Sequence, residues 1–148
     1  MSSTDTTRDT DLNFARATEL VIAAHAEAIR LGIAISAAVV DAGGHLIAFG
    51  RMDCAEIAGP TLATDKAFTA VVHSTSTAEL AVLAAPGGEL FGLQANGGGR
   101  YVIFGGGIPL RTGGMIVGGF GVSGSTSEND ITCAEQAATL WGNHNASS

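Results

Sequence analysis

The sequence predicts an α+β domain in which helices pack against an antiparallel sheet of about five strands. Three observations carry this reading. Segments of strand character come in runs, separated by segments of helical periodicity, in the order α-β-β-α-α-β-β-β-α. Apolar residues make up 46% of the chain and charged ones 14%, which favours a buried core over an unfolded chain. Glycine, at 21 of 148 residues, is about twice its usual ~7% share and marks tight turns and close backbone approaches.

The elements follow in chain order. Residues 1–10, rich in Ser, Thr and Asp, read as a disordered tail and 143–148 as a polar C-terminal tail, leaving 11–142 as one domain. A first helix starts near Asp11, capped by Asp11 or Asn13. Its apolar stripe is Phe14, Ala17, Val21, Ala24, Ala28 and Leu31, and Gly32 ends it. Ile33 to Val40, apolar on both faces, is a central strand. Asp41-Ala42-Gly43-Gly44 turns the chain, and His45 to Arg51 returns as the hairpin partner. Pro60 opens a second helix over Thr61 to His73. A short third helix spans Ser76 to Leu83 and stops at Pro86-Gly87-Gly88.

Glu89 to Gly99 reads as a surface loop. Arg100 to Phe104, Ile108 to Arg111 and Met115 to Val122 read as strands divided by glycine clusters. Ser127-Glu128-Asn129-Asp130 resembles a capping box for a last helix with the stripe Ile131, Ala134, Ala138 and Trp141.

Composition also excludes functions. A formal net charge of −7 argues against a phosphate-binding surface, so nucleic acid is not an expected partner. The longest apolar runs are strand-sized, so no membrane span is expected. The N-terminus lacks the basic-then-apolar pattern of a secretory signal. A cytoplasmic location is the expectation, with Cys54 and Cys133 as buried, reduced thiols.

Three blocks stand out: Val40-Asp41-Ala42-Gly43-Gly44-His45-Leu46, Asp65-Lys66-Ala67-Phe68-Thr69-Ala70 and Gly118-Gly119-Phe120-Gly121-Val122-Ser123-Gly124. Together, and in this order, they resemble the GlcG/HbpS-like family of haem-degrading domain proteins, which includes the C-terminal domain of PduO-type proteins. The likeness runs from about Leu12 to Trp141. It implies a compact α/β sandwich that assembles into dimers or rings. It also implies that some relatives bind haem while others accompany cobalamin or glycolate metabolism. The chain departs from the family pattern at His73, where KAxTAxxF has an aromatic residue, usually Phe. It also carries an extra small residue in Phe104-Gly105-Gly106-Gly107-Ile108, ahead of Pro109.

Chemistry-bearing residues gather on the second helix. Leu62, Lys66, Thr69 and His73 share one face by their i, i+4, i+7 and i+11 spacing. Lys66 and His73 are candidate catalytic residues: the ammonium neutralises a carboxylate or enolate, and the imidazole moves a proton near neutral pH. Thr69 is a substrate-binding candidate between them. Arg51, in a strand-to-helix loop, suits bidentate carboxylate binding, and the nearby Asp53 is a candidate base. Backbone N–H groups at Gly124 and Ser125, near a helix N-terminus, suit an anion. The histidines form no HxxxH or HxH motif and the cysteines no CxxC pair, so no metal site is expected. For haem, His73 or Met52 would be the axial ligand.

These residues support one main reading and two alternatives. The main reading is a cofactor-free enzyme (isomerase, hydrolase or lyase) acting on a small carboxylated or carbonyl-bearing metabolite in a catabolic pathway. The first alternative is a haem- or corrinoid-binding protein, with haem as cofactor. The second is a non-catalytic assembly protein. A homo-oligomer is expected in every case, from the low charge and the many small residues.

Overall fold

The computed structural model describes the backbone of residues 11–146 and the side chains of 11–142; the tail assigned to residues 1–10 and the side chain of His144 lie outside the described residues. The chain runs α1 (Phe14–Leu31), β1 (Ser36–Asp41), β2 (Leu46–Arg51), α2 (Gly59–His73), α3 (Thr77–Leu83), two 3-10 turns (Leu93–Ala95 and Gly97–Gly99), β3 (Gly107–Thr112), β4 (Met115–Ser123) and α4 (Ser127–Ala146). Residues 143–146, placed in the polar tail by the sequence, continue α4.

The strands form a four-stranded antiparallel sheet in the order β2-β1-β4-β3, so the α+β class stands and the strand number falls by one. The missing strand is Arg100 to Phe104. Its backbone bonds are taken by a helix: the Val102 N–H donates to Thr69 Oγ1 at 3.0 Å, and the Arg100 carbonyl lies 3.1 Å from the same hydroxyl. With these groups satisfied by a side chain, the segment lies along α2 and leaves the sheet edge to β3.

Three layers result. α1 and α4 cover one face of the sheet, where Ala37, Val39, Phe120 and Val122 join Leu20, Ala24, Cys133 and Trp141 in the main core. α2 covers the other face, where its Ala67 and Val71 cluster with Val40 of β1. The helix lies directly on β4 because a Cβ at Gly121 would fall 2.0 Å from the Ala63 carbonyl oxygen, and one at Gly119 2.4 Å from that of Ala67.

Local signals set the helix ends. Asn13 caps α1 by accepting the Arg16 N–H, and Gly32 closes it in the left-handed conformation. α4 starts one residue earlier than a Ser127 cap would allow: Thr126 Oγ1 accepts the Asn129 N–H, which makes Ser127 the first helical residue. Phe14, expected in the buried stripe, is instead 68% exposed, and Leu20 fills the core. Cys54, expected to be buried, is exposed at a positive φ of 69°, whereas Cys133 is buried. Trp141 packs its ring under the Arg16 guanidinium and donates Nε1–H to the Arg111 carbonyl, which ties α1, α4 and β3 together.

Candidate functional site

Lys66 sits at the middle of α2, on the side turned towards β4 and α4, and its side chain is fully buried. Its Nζ donates to the Val122 carbonyl at 2.9 Å and to Asp130 Oδ2 at 3.1 Å. The ammonium also lies 5.1 Å from the centre of the Phe104 ring. Gly106 and Gly107 let the chain cross over it: a Cβ at Gly106 would come within 2.8 Å of Nζ, and one at Gly107 within 2.3 Å of the Lys66 carbonyl oxygen.

The partner carboxylate is received by backbone. Asp130 Oδ1 accepts the Ser125 N–H at 3.0 Å, and the Gly124 N–H also stabilises the carboxylate. Burial pushes the Asp130 pKa up and the Lys66 pKa down, and each charge opposes the shift of the other. The N–H groups at Gly124 and Ser125, nominated as a receptor for a substrate anion, therefore hold an anion of the chain itself. Asp130 was not among the nominated residues. Its only signal in the sequence was its place in the capping-box pattern, where an acid at a helix start has an electrostatic explanation already.

Thr69 and His73 lie further along α2. The Thr69 hydroxyl is 2.6 Å from the Asp65 carbonyl and takes the Val102 N–H, so it fixes the 100–104 segment to the helix. His73 is half-buried, with Nδ1 2.9 Å from the Thr69 carbonyl and its ring edge-on to Tyr101 at 4.5 Å. Tyr101 in turn faces Phe68, over which Arg100 lies at 3.6 Å while pairing with Asp65 at 3.0 Å. Just past His73, the Ser74 carbonyl accepts Nη2–H of Arg111 at 2.9 Å.

The other nominated residues lie at the end of β2, which Arg51 closes, and in the loop that leads from it to α2. Arg51 donates from Nε and Nη2 to the Ala55 carbonyl and so closes its own loop, and Asp53 is exposed. Met52, nominated as a haem ligand, is committed: its sulfur accepts the Ile35 N–H at 3.3 Å. Two further histidines are described. His25 has Nε2 2.9 Å from the Gly50 carbonyl, and His45, at the hairpin tip, has Nδ1 3.4 Å from Asp41 with an 82% exposed side chain.

The structure thus joins Lys66 to Gly124 and Ser125 through Asp130, and joins Thr69 to His73 at a second place beside Tyr101. A hollow of about 20 Å³ lies elsewhere, between Arg16, Glu19, Leu20, Leu140 and Trp141. It has room for about one water molecule and contains none of the nominated residues. Among the described residues, no group of three or more His, Cys, Asp or Glu could hold a bare metal ion, and no helix is long and apolar enough to cross a membrane.

Comparison with known proteins adds an independent line. A family model described as haem degrading protein HbpS-like matches residues 12–139. The chain is 36% identical over 126 residues to an uncharacterized 15.0 kDa protein in the dhaT-dhaS intergenic region of Citrobacter freundii, covering 85% of this chain and 89% of that one. It is 38% identical over 126 residues to the corrinoid adenosyltransferase PduO of the same organism, covering 85% of this chain but only 38% of PduO. Among solved structures, a PduOC–haem complex superposes with a TM-score of 0.84 at 36% identity, covering 87% of this chain and 94% of that one.

Proposed function

The chain belongs to the HbpS-like family, and from that premise we propose that it is a haem-binding protein. The observation that carries this is the likeness, at 36% identity over nearly the whole length of both chains, to a PduOC domain crystallised with haem. The donor set agrees with a tetrapyrrole better than with a bare ion. A haem macrocycle supplies the equatorial ligands itself, so the protein needs to contribute only an axial side chain. Isolated imidazoles suit that need: among the described residues, His25, His45 and His73 each have one ring nitrogen near an acceptor and the other without a hydrogen bond. A bound haem would supply a redox-active, gas-binding iron, and a histidine of this chain would be the residue to hold it.

The cofactor-free enzyme reading has less support. Its central cation, Lys66, is enclosed and spends its donors on Asp130 and Val122, and Lys66 and His73 bond to different partners. A corrinoid is the second ligand class suggested by a relative, but this chain spans only 38% of PduO, so the transferase activity of the whole protein is not carried over.

Titration of the purified chain with ferric haem tests the proposal. A saturable Soret shift at one haem per chain or per pair of chains is the expected result, with no comparable change on adding cob(III)alamin. Absorbance that stays that of free haem would overturn it.

A further inference from the structure

We propose that Asn96–Gly97 is a self-modification site, at which the chain converts Asn96 to isoaspartate or aspartate through a succinimide, with water as co-reactant. The pair lies where the two 3-10 turns meet, just ahead of Arg100 and Tyr101. Asn96 is the one asparagine of the chain that glycine follows. In the reaction the Gly97 nitrogen attacks Asn96 Cγ. The bond from Cγ to the side-chain nitrogen breaks, and ammonia leaves with the proton that Gly97 gives up. Water then opens the five-membered ring. Cleavage between Cγ and the ring nitrogen gives aspartate, and cleavage between that nitrogen and the main-chain carbonyl carbon gives isoaspartate.

The fold leaves the attack unobstructed. Asn96 is exposed and extended, with φ −99° and ψ −179°, and its side chain makes no capping bond to the turn that follows. Gly97 begins that turn, where the first N–H has no acceptor within the helix. It has no Cβ to crowd the attacking nitrogen. Gly97, Gly98 and Gly99 all take positive φ, at 62°, 65° and 83°, so the backbone can rotate about the Asn96 Cα–C bond without a steric penalty from side chains.

The other two asparagines with described side chains are held. Asn13 Oδ1 accepts the Arg16 N–H at 2.9 Å. Asn129 donates Nδ2–H to Ser125 Oγ at 3.0 Å, and the next N–H, that of Asp130, is spent on the Thr126 carbonyl at 2.9 Å. At Asn96 the chain has no easy escape, because a bulkier residue in place of Gly97 would put a Cβ 2.4 Å from the Tyr101 ring. Isoaspartate adds a methylene to the main chain beside that contact, and either product adds one negative charge to a chain of net −7. Tyr101 also faces Phe68 and His73, so the change reaches the side chains of α2.

The test is incubation of the purified, folded chain at mildly alkaline pH, followed by peptide mass mapping and labelling with a protein isoaspartyl methyltransferase. Trypsin releases residues 67–100 as one peptide, in which Asn96 is the sole asparagine. That peptide is expected to gain the mass of an amide-to-acid exchange together with the methyl label, faster than the peptides holding Asn13 and Asn129. Both signals are expected to be lost in N96Q, whose longer side chain cannot close a five-membered ring. An Asn96 that keeps its amide in the folded chain while converting in denaturant overturns the proposal. Conversion of Asn13 or Asn129 at the same pace overturns the structural selection, and an acid form without the methyl label overturns the succinimide route.

Discussion

Lys66 Nζ on α2 lies 3.1 Å from Asp130 Oδ2 on α4, across the end of β4, with both side chains sealed from solvent. The pair joins the two helical layers through the sheet. Its Coulomb attraction is set against the desolvation of two ions, so the net gain over an apolar pair is small while the loss on breaking it is large. K66M leaves a buried carboxylate without its cation and is expected to cost about 3–5 kcal/mol in urea unfolding. K66M combined with D130L is expected to recover most of that loss. A single variant within about 1 kcal/mol of wild type would show that the pair does not hold the layers together.

The two thiols are expected to separate cleanly by reactivity. Burial pushes the Cys133 thiol up to about 11, whereas Cys54 is exposed. Since the thiolate is the reactive form, a disulfide reagent at pH 8 should titrate only Cys54 in the folded chain and both thiols in denaturant. Rapid reaction of C54S in the native state would contradict this.

Glycine substitutions should have opposite signs at two positions. G121A forces a Cβ against the Ala63 carbonyl oxygen and must push α2 off β4, with an expected loss of about 3 kcal/mol or more. G142A meets no atom within 4 Å on the exposed surface of α4, so removal of a mid-helix glycine should stabilise by about 0.5–1 kcal/mol. Thermal unfolding of the two variants measures both.

The β1–β2 turn should contribute to acid lability. Asp41 Oδ1 accepts the N–H groups of Gly43 and His45, each at 2.9 Å, and these bonds hold its carboxyl below the ordinary value of 3.8. A depressed folded-state value means that the native chain binds this proton less readily than the unfolded one. The contribution is therefore complete above about pH 4 and is lost as pH falls through the depressed value. D41N keeps a side-chain acceptor but removes the titration, so its acid unfolding limb should be shallower than that of wild type. D41A should lose about 1 kcal/mol at neutral pH as well.

Most of the architecture was legible because its determinants are local. Asn13 and Gly32 bound α1, Pro60 opens α2, and the doubly apolar Ile33 to Val40 run reads as a central strand, observed as Ser36–Asp41. Arg100 to Phe104 reads as a strand in the sequence but is not one, because strand propensity cannot reveal that a Thr69 hydroxyl, 31 residues upstream of Arg100, will take its backbone groups. The sites were less legible for a similar reason. Spacing correctly put Lys66, Thr69 and His73 along one helix, but the partners that decide their roles come from distant elements: Asp130 from α4, and Tyr101 and Arg111 from beyond α3. A shared helical face identifies neighbours on that helix and says nothing of what closes over them.

Trp141 gives the molecule its own optical gauge. It is the chain's one tryptophan, it is 4% exposed, and it is held where α1, α4 and β3 meet. Its emission reads the docking of those elements without an added dye, shifting red when water reaches the indole. The same fluorophore would be quenched by energy transfer to an absorbing macrocycle elsewhere on the protein, so unfolding and ligand capture leave distinguishable signals in a single cuvette.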